Sequence, residues 1–277
     1  MIRIVTDSSC DLPDEILEVH RITVVPLTIR FGEEEFVDRE ELSVDEFWDR
    51  LTSTQDLPET AAPSVGRFQN AFLNLSNAGA DGIIAVTISS EISATYQAAS
   101  LAAEQLTSGI SVRVIDSGLV SAALGLCVLA AAKTAEAGGT IDEVEVAARE
   151  AAVTSNLFAA LDTLEFLKRG GRVGGTAAFF GNILDMKPLI TFVDGVVSPG
   201  GRVRTRRKAI RAVLDHLDSF ESTEEVGVIH SNASDLDEFL SALRERGHDD
   251  PVVSRLGSVV GAHAGPGVIG IVYRISD

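Results

Sequence analysis

Three times in the first half of the chain an apolar run ends in a small cluster of hydroxyls or carboxylates and then gives way to a helical pattern. The stretches are "IVTDSSCDLPDEI" from residue 4, "IIAVTISSEISATYQAA" from residue 83 and "VRVIDSGLVSAALG" from residue 112. Strands that alternate with helices in this way argue for βαβ units on a parallel sheet. The pattern predicts strands at Ile2 to Thr6, Ile83 to Ile88 and Val112 to Ile115, and one extended run over "ITVVPLTIRF". Helices are expected from Pro13, through Tyr96, Ala99 and Ala103, and over 119–137 and 141–155. "LSVDEFWDRL" reads as a helix opened by Ser43, with Glu46 at capping-box spacing, whereas "LPETAAPS" reads as a loop and Glu33 to Glu35 as a solvated turn.

After about residue 155 the texture changes. "PLITFVDGVVSP" places two β-rich runs around Asp194-Gly195, a hairpin signal. "RTRRKAIRAVLDHLDSF" and "DLDEFLSALRERG" read as helices, and "EVGVIHS", "VVSRLGSVV" and "VIGIVYRIS" as strands. The expectation is an α/β fold of two domains. Residues 1–155 would carry a mainly parallel sheet, and 156–277 a mixed or antiparallel one.

Composition narrows the function. With 45% apolar residues in 277, a substantial core is affordable. A formal charge of -18 disfavours nonspecific binding to nucleic acid or anionic lipid and points to small molecules and proteins as partners. Two cysteines, Cys10 and Cys127, give neither a disulfide framework nor a zinc spacing, so the compartment reads as reducing cytosol. The start of the chain lacks a basic-then-apolar leader pattern. The longest apolar run, Val120 to Ala132, falls short of the roughly 18 residues a membrane span needs, and it reads as a buried helix.

In an open parallel sheet, ligands bind outside the carboxyl ends of the strands. Asp7-Ser8-Ser9, Ser89-Ser90 with Ser93, and Asp116-Ser117 fall at such ends, so Ser8, Ser90, Ser93 and Ser117 are candidate ligand contacts. The competing reading is that each is a cap or turn residue. "GAHAGPG" and "GGRVGG" are rich in glycine but match no phosphate-binding fingerprint, and no GxSxG elbow is present. Lys168, Arg169 and Arg172 form a compact basic loop in an acidic chain, and "GRVRTRRKAIR" concentrates Arg202, Arg204, Arg206, Arg207 and Lys208. Each is read either as a solvated surface or as a site for an anion or acidic partner. His263 sits between two apolar β-type runs among small residues, either structural or functional.

Taken in order, "VTDSSCDLP", "SSEISATYQAA", "VIDSG", "LDTLEFLKRGGRVG", "MKPLITFVDGVV" with "RVRTRRKA", and "GAHAGPGVIG" resemble the DegV family of bacterial fatty-acid-binding proteins over nearly the whole chain. The resemblance implies a long-chain fatty acid in a tunnel between two α/β domains, with no cofactor besides this ligand and no catalytic turnover of the protein's own. In the FakB branch a separate ATP-dependent fatty-acid kinase phosphorylates the presented carboxyl on the way to phospholipid synthesis. By this analogy Ser93 is a head-group serine. Thr60 is retained in "ETAAPS", where the family has a segment like "TTSQPS" and Ala61-Ala62 replaces a polar pair. Arg172 and His263 match positions near the kinase-facing end. Arg204 matches a basic position in the arm before the last helices, and with Arg207 it is expected to dock the partner. Asp7, which would repel a carboxylate, is expected to hold its loop through Ser8 or backbone N–H groups. The alternative is a hydrolase or transferase with Ser93 as nucleophile and His263 as general base.

Overall fold

A computed structural model describes residues 1–54, 57–172 and 186–276. Residues 173–175, the end of the "GGRVGG" stretch, therefore lie outside the described residues.

Strands β1 (Ile2–Asp7), β2 (Thr23–Val25), β6 (Gly82–Thr87) and β7 (Val112–Asp116) form a wholly parallel sheet in the order β2-β1-β6-β7. Strands β3 (Thr28–Phe31), β4 (Glu34–Val37) and β5 (Glu59–Ala61) make a small antiparallel sheet in the order β4-β3-β5. The larger sheet runs β10-β9-β8-β13-β11-β12, built from β8 (Ser155–Ala160), β9 (Lys187–Val193), β10 (Val196–Val203), β11 (Thr223–His230), β12 (Val252–Arg255) and β13 (Ile269–Ile275). It is mixed, because β11 and β12 are parallel while its other pairs are antiparallel. The α/β class, with one parallel and one mixed sheet, is as the sequence predicts.

The helices are α1 (Asp14–Val19), α2 (Val44–Ser53), α3 (Val65–Asn77), α4 (Thr95–Glu104), α5 (Ser121–Glu136), α6 (Ile141–Thr154), α7 (Glu165–Gly170), α8 (Arg206–Leu217), α9 (Leu236–Arg244) and α10 (Ser258–Ala264). Alternation along the strands sets the layers. Val5, Ile83 and Ala85 point to Phe68, Phe72 and Ala99 of α3 and α4, while Ile4, Ile84 and Val86 point the other way, into the core around α5. In the larger sheet Leu157, Ala159 and Val272 face α5, and Phe158, Ala160, Ile271 and Tyr273 face α8 and α9. Helix α5 thus lies between the two sheets, and its "SAALGLCVLAAA" stretch is apolar all round because it has neighbours on both sides.

Four local readings change. The run from Ile22 to Phe31 is two strands in different sheets. Pro26 has no N–H to give a ladder, and the Leu27 N–H leaves the sheet to donate to Ser8 Oγ at 3.1 Å. Glu34 and Glu35 are in a strand rather than a turn, and "ETA" of the expected loop is β5. "VVSRLGSVV" ends as a strand at Arg255, and Ser258 begins α10, so His263 is on a helix rather than between strands. The hairpin at Asp194-Gly195 is present, with both residues at positive φ (51° and 76°), as a tight primed turn requires.

Candidate functional site

Between the sheets lies a cavity of about 220 Å³ whose wall is mostly apolar. Leu157, Ala159 and Leu161 supply one side in strict alternation from β8 and its extension, joined by Ile190 and Phe192 of β9. Val120 and Ser121 at the start of α5 close another. Among the described residues, the polar ones in the wall are Thr60, Ser93, Ser121, Arg172 and His263, brought from five separate segments.

His263 rides the last turn of α10 and its Nε2 lies 2.8 Å from Thr60 Oγ1. Burial first, and the nearby positive charge of Arg172 second, push its pKa down to about 4, so at neutral pH the ring is uncharged. With the proton on Nε2, His263 donates to Thr60, and the Thr60 hydroxyl is then free to donate to a carboxylate. The other ring nitrogen, Nδ1, is buried and has no hydrogen-bond partner among the described residues. It lies so close to Gly170 at the end of α7 that a Cβ there would sit 2.2 Å from it, which is why only glycine fits at that position. Arg172 follows the α7 C-terminus and donates to the Gly170 carbonyl at 2.5 Å. Ser93 Oγ is 2.8 Å from Thr95 Oγ1 and accepts from the Thr95 N–H at 3.3 Å, a turn geometry that starts α4 with the hydroxyl at the cavity wall.

The three polar clusters do sit at the ends of adjacent strands, yet they bond chiefly to one another's backbone. Asp7 Oδ2 accepts the Ile88 N–H at 2.8 Å, and Oδ1 accepts the Ser9 N–H at 3.0 Å together with the Ser9 hydroxyl. Asp7 therefore holds the loop through backbone N–H groups, as expected, and through the hydroxyl of Ser9 rather than of Ser8. Ser8 Oγ accepts from Leu27, and Ser117 Oγ donates to the Thr87 carbonyl at 2.7 Å and accepts from the Leu119 N–H. The Ser90 N–H donates to Asp116 Oδ1 at 3.1 Å. Ser8, Ser90 and Ser117 are absent from the cavity wall, where Ser93 alone of the four candidate serines appears. Ser117 makes a turn with Leu119, Ser8 ties its loop to Leu27, and Ser90 contributes its backbone N–H to Asp116.

Sequence reasoning missed Ser121. Its Oγ donates to Asp11 Oδ2 at 2.6 Å, while Asp11 Oδ1 accepts the Gly257 N–H at 2.9 Å, and burial pushes Asp11 up to about 7. A hydroxyl opening an Ala-rich helix was the one available signal, and it reads as an ordinary helix start. Ser93 pairs with Thr95, and His263 pairs with Thr60, rather than with each other. Among the described residues no group of three or more His, Cys, Asp or Glu is placed to hold a metal, and no helix is long and apolar enough to cross a membrane.

A family model described as "Uncharacterised protein, DegV family" matches residues 1–276. The chain belongs to the DegV family. A DegV domain-containing protein of Streptomyces coelicolor is 39% identical over 277 residues, covering 98% of this chain and 97% of its own. The structure of a DegV family protein from Thermus thermophilus, described as fatty acid binding, superposes with a TM-score of 0.90 at 29% identity and 99% coverage of both chains. That of DegV from Bacillus subtilis, described as a fatty acid binding protein, gives 0.89 at 30% identity, again with 99% of both chains.

Proposed function

We propose that this DegV protein binds a long-chain fatty acid in the cavity, between domains spanning 1–155 and 156–277, and presents its carboxyl to a separate ATP-dependent fatty-acid kinase that forms the acyl phosphate. The observation that carries this reading is the polarity of the cavity: apolar side chains from β8, β9 and α10 line it, and Thr60, Ser93, Arg172 and His263 add hydroxyls, a cation and a neutral imidazole. A carboxylate suits hydroxyl donors and a guanidinium. The tail needs only apolar wall, at about 0.8 kcal/mol per buried CH₂. The fatty acid binding described for the Thermus and Bacillus relatives supports the same ligand.

Lipid extraction and mass spectrometry of the purified protein will return a long-chain fatty acid, and Ser93→Ala will weaken its binding by about 1 to 3 kcal/mol, the worth of a hydrogen bond to a charged group. Thr60→Val acts in the same direction. Unchanged affinity of both variants in a fluorescent fatty-acid displacement assay removes these hydroxyls from the site.

Kinase docking is assigned to the basic arm. Arg204 and Arg207 are exposed and make no ion pair among the described residues, whereas Arg206 between them is committed to Asp235 at 2.7 Å and to the Gly267 carbonyl. A local positive patch on an acidic body orients an acidic or phosphate-bearing partner. Arg204→Glu with Arg207→Glu will lower kinase-dependent turnover without changing lipid affinity, and the defect will shrink as salt shortens the screening length below ~8 Å. Parent-like kinetics across the salt series would remove the docking role.

A further inference from the structure

We propose that Ser121, held by the buried Asp11, forms a second polar subsite in the acyl wall of the cavity, one that accepts a hydrogen bond from a hydroxyl carried part-way along the chain of a hydroxy fatty acid. The proposal rests on the fatty-acid reading above. Of the polar wall residues among those described, Thr60, Ser93, Arg172 and His263 are assigned to the carboxyl, and Ser121 has no role there.

Its depth follows from α10. Asp11 bonds the N–H of Gly257, the residue that caps the start of this helix, whereas Thr60 bonds His263 six residues further on. At 1.5 Å per residue, about 9 Å of helix axis separates the two contacts. A chain whose carboxyl meets Thr60 and His263 therefore passes Ser121 several carbons later. Ser121 (φ 56°) and Asp11 (φ 50°) both occupy the left-handed region, which is uncommon outside glycine and persists where the surrounding contacts over-determine it.

The direction of the hydrogen bond sets the chemistry. The Ser121 proton is committed to Asp11 Oδ2 at 2.6 Å, and the oxygen keeps lone pairs to accept with. A ligand hydroxyl can donate to it without breaking the existing bond. An oxo group brings no proton and gains nothing, and a hydroxyl at another depth is buried against apolar wall without a partner, at a cost. The pair thus reads the distance between a carboxyl and a chain hydroxyl.

The test is an equilibrium-binding series on the delipidated full chain with stearic acid, hydroxystearic acids whose hydroxyl is moved along the chain, and the matching oxostearic acids. It is run in alkaline buffer, above the value of about 7 to which burial pushes Asp11. One hydroxyl position is expected to bind roughly three- to tenfold tighter than its neighbours, the worth of one neutral hydrogen bond, with no gain for the oxo acid at that carbon. Ser121→Gly, which keeps the positive φ while removing the hydroxyl, is expected to collapse that ratio. Binding of stearic acid with a flat positional series in the parent protein overturns the subsite alone, as does a preference that survives Ser121→Gly. Failure to bind any of the acids overturns the fatty-acid reading and the subsite with it.

Discussion

Ala159→Phe will abolish fatty-acid binding while the protein stays folded. Ala159 is in the middle of β8, paired with Gly270 and Ile190 on either side, and its small side chain is part of the cavity wall. A benzyl group there fills space the tail would occupy. Displacing about six methylenes at ~0.8 kcal/mol each removes on the order of 5 kcal/mol, more than a thousandfold in affinity. Overpacking costs stability as well, about 1 to 3 kcal/mol. Thermal unfolding followed by circular dichroism will separate the two effects. Phe158→Leu, on the opposite face against α8, serves as the comparison, because it perturbs the same strand without touching the cavity. Retained binding in folded Ala159→Phe would place the tail elsewhere.

Asp11→Asn will stabilise the protein above neutral pH. Burial raises the Asp11 carboxyl from 3.8 to about 7, with the bonds from Ser121 and Gly257 opposing the shift, so between these values the folded chain holds a proton that the unfolded chain has released. Stability therefore falls as pH rises through that window. A shift of this size corresponds to at most ~4 kcal/mol, at about 1.4 kcal/mol per pH unit. Asp7 and Asp38 are also raised by burial, so they add slope of the same sign. Asn keeps an acceptor for the Gly257 N–H and offers an amide to Ser121 without a charge to bury. Denaturant unfolding at about pH 5 and about pH 8 should show the parent losing several kcal/mol between them and the variant losing distinctly less. Equal losses in both would mean that Asp11 titrates as an ordinary carboxylate.

Local signals were legible where local chemistry decides the outcome. Ser43 and Glu46 form the capping box their spacing predicts, with Ser43 Oγ accepting from the Glu46 N–H and Glu46 accepting from the Ser43 N–H. Asp194-Gly195 turns the hairpin as its dipeptide predicts, and the alternating "SNLFAA" of β8 sorts itself between two cores. What escaped depends on partners far along the chain. The second half of "VVSRLGSVV" becomes helix where Gly257 is bonded by Asp11, 246 residues away in sequence. Thr60 meets His263 across 203 residues, and Trp48 Nε1 donates to the Leu256 carbonyl at 3.0 Å across 208. The resemblance of "SSEISAT" and "GAHAGPG" to the DegV pattern singled out Ser93 and His263, both of which line the cavity. Strand-end position alone grouped Ser93 with Ser8, Ser90 and Ser117, because a turn serine and a wall serine have the same local sequence.

Helix α5 also explains why there is a hole at all. Two sheets rest on it as shelves rest on a spacer, and its many alanines keep the spacer thin. The spacer begins at Ser121, and the cavity is the gap that the shelves enclose in front of that first turn, with Val120 and Ser121 as one side of it and Ala159 of the facing shelf also in its wall. The room in the cavity is therefore set by where one helix starts as well as by the side chains that line it. Each added or removed turn of α5 would move that wall by about 5.4 Å. A lineage built on this scaffold has a coarse adjustment for the bore of the cavity in the start of the helix, and a fine one in the small residues of β8.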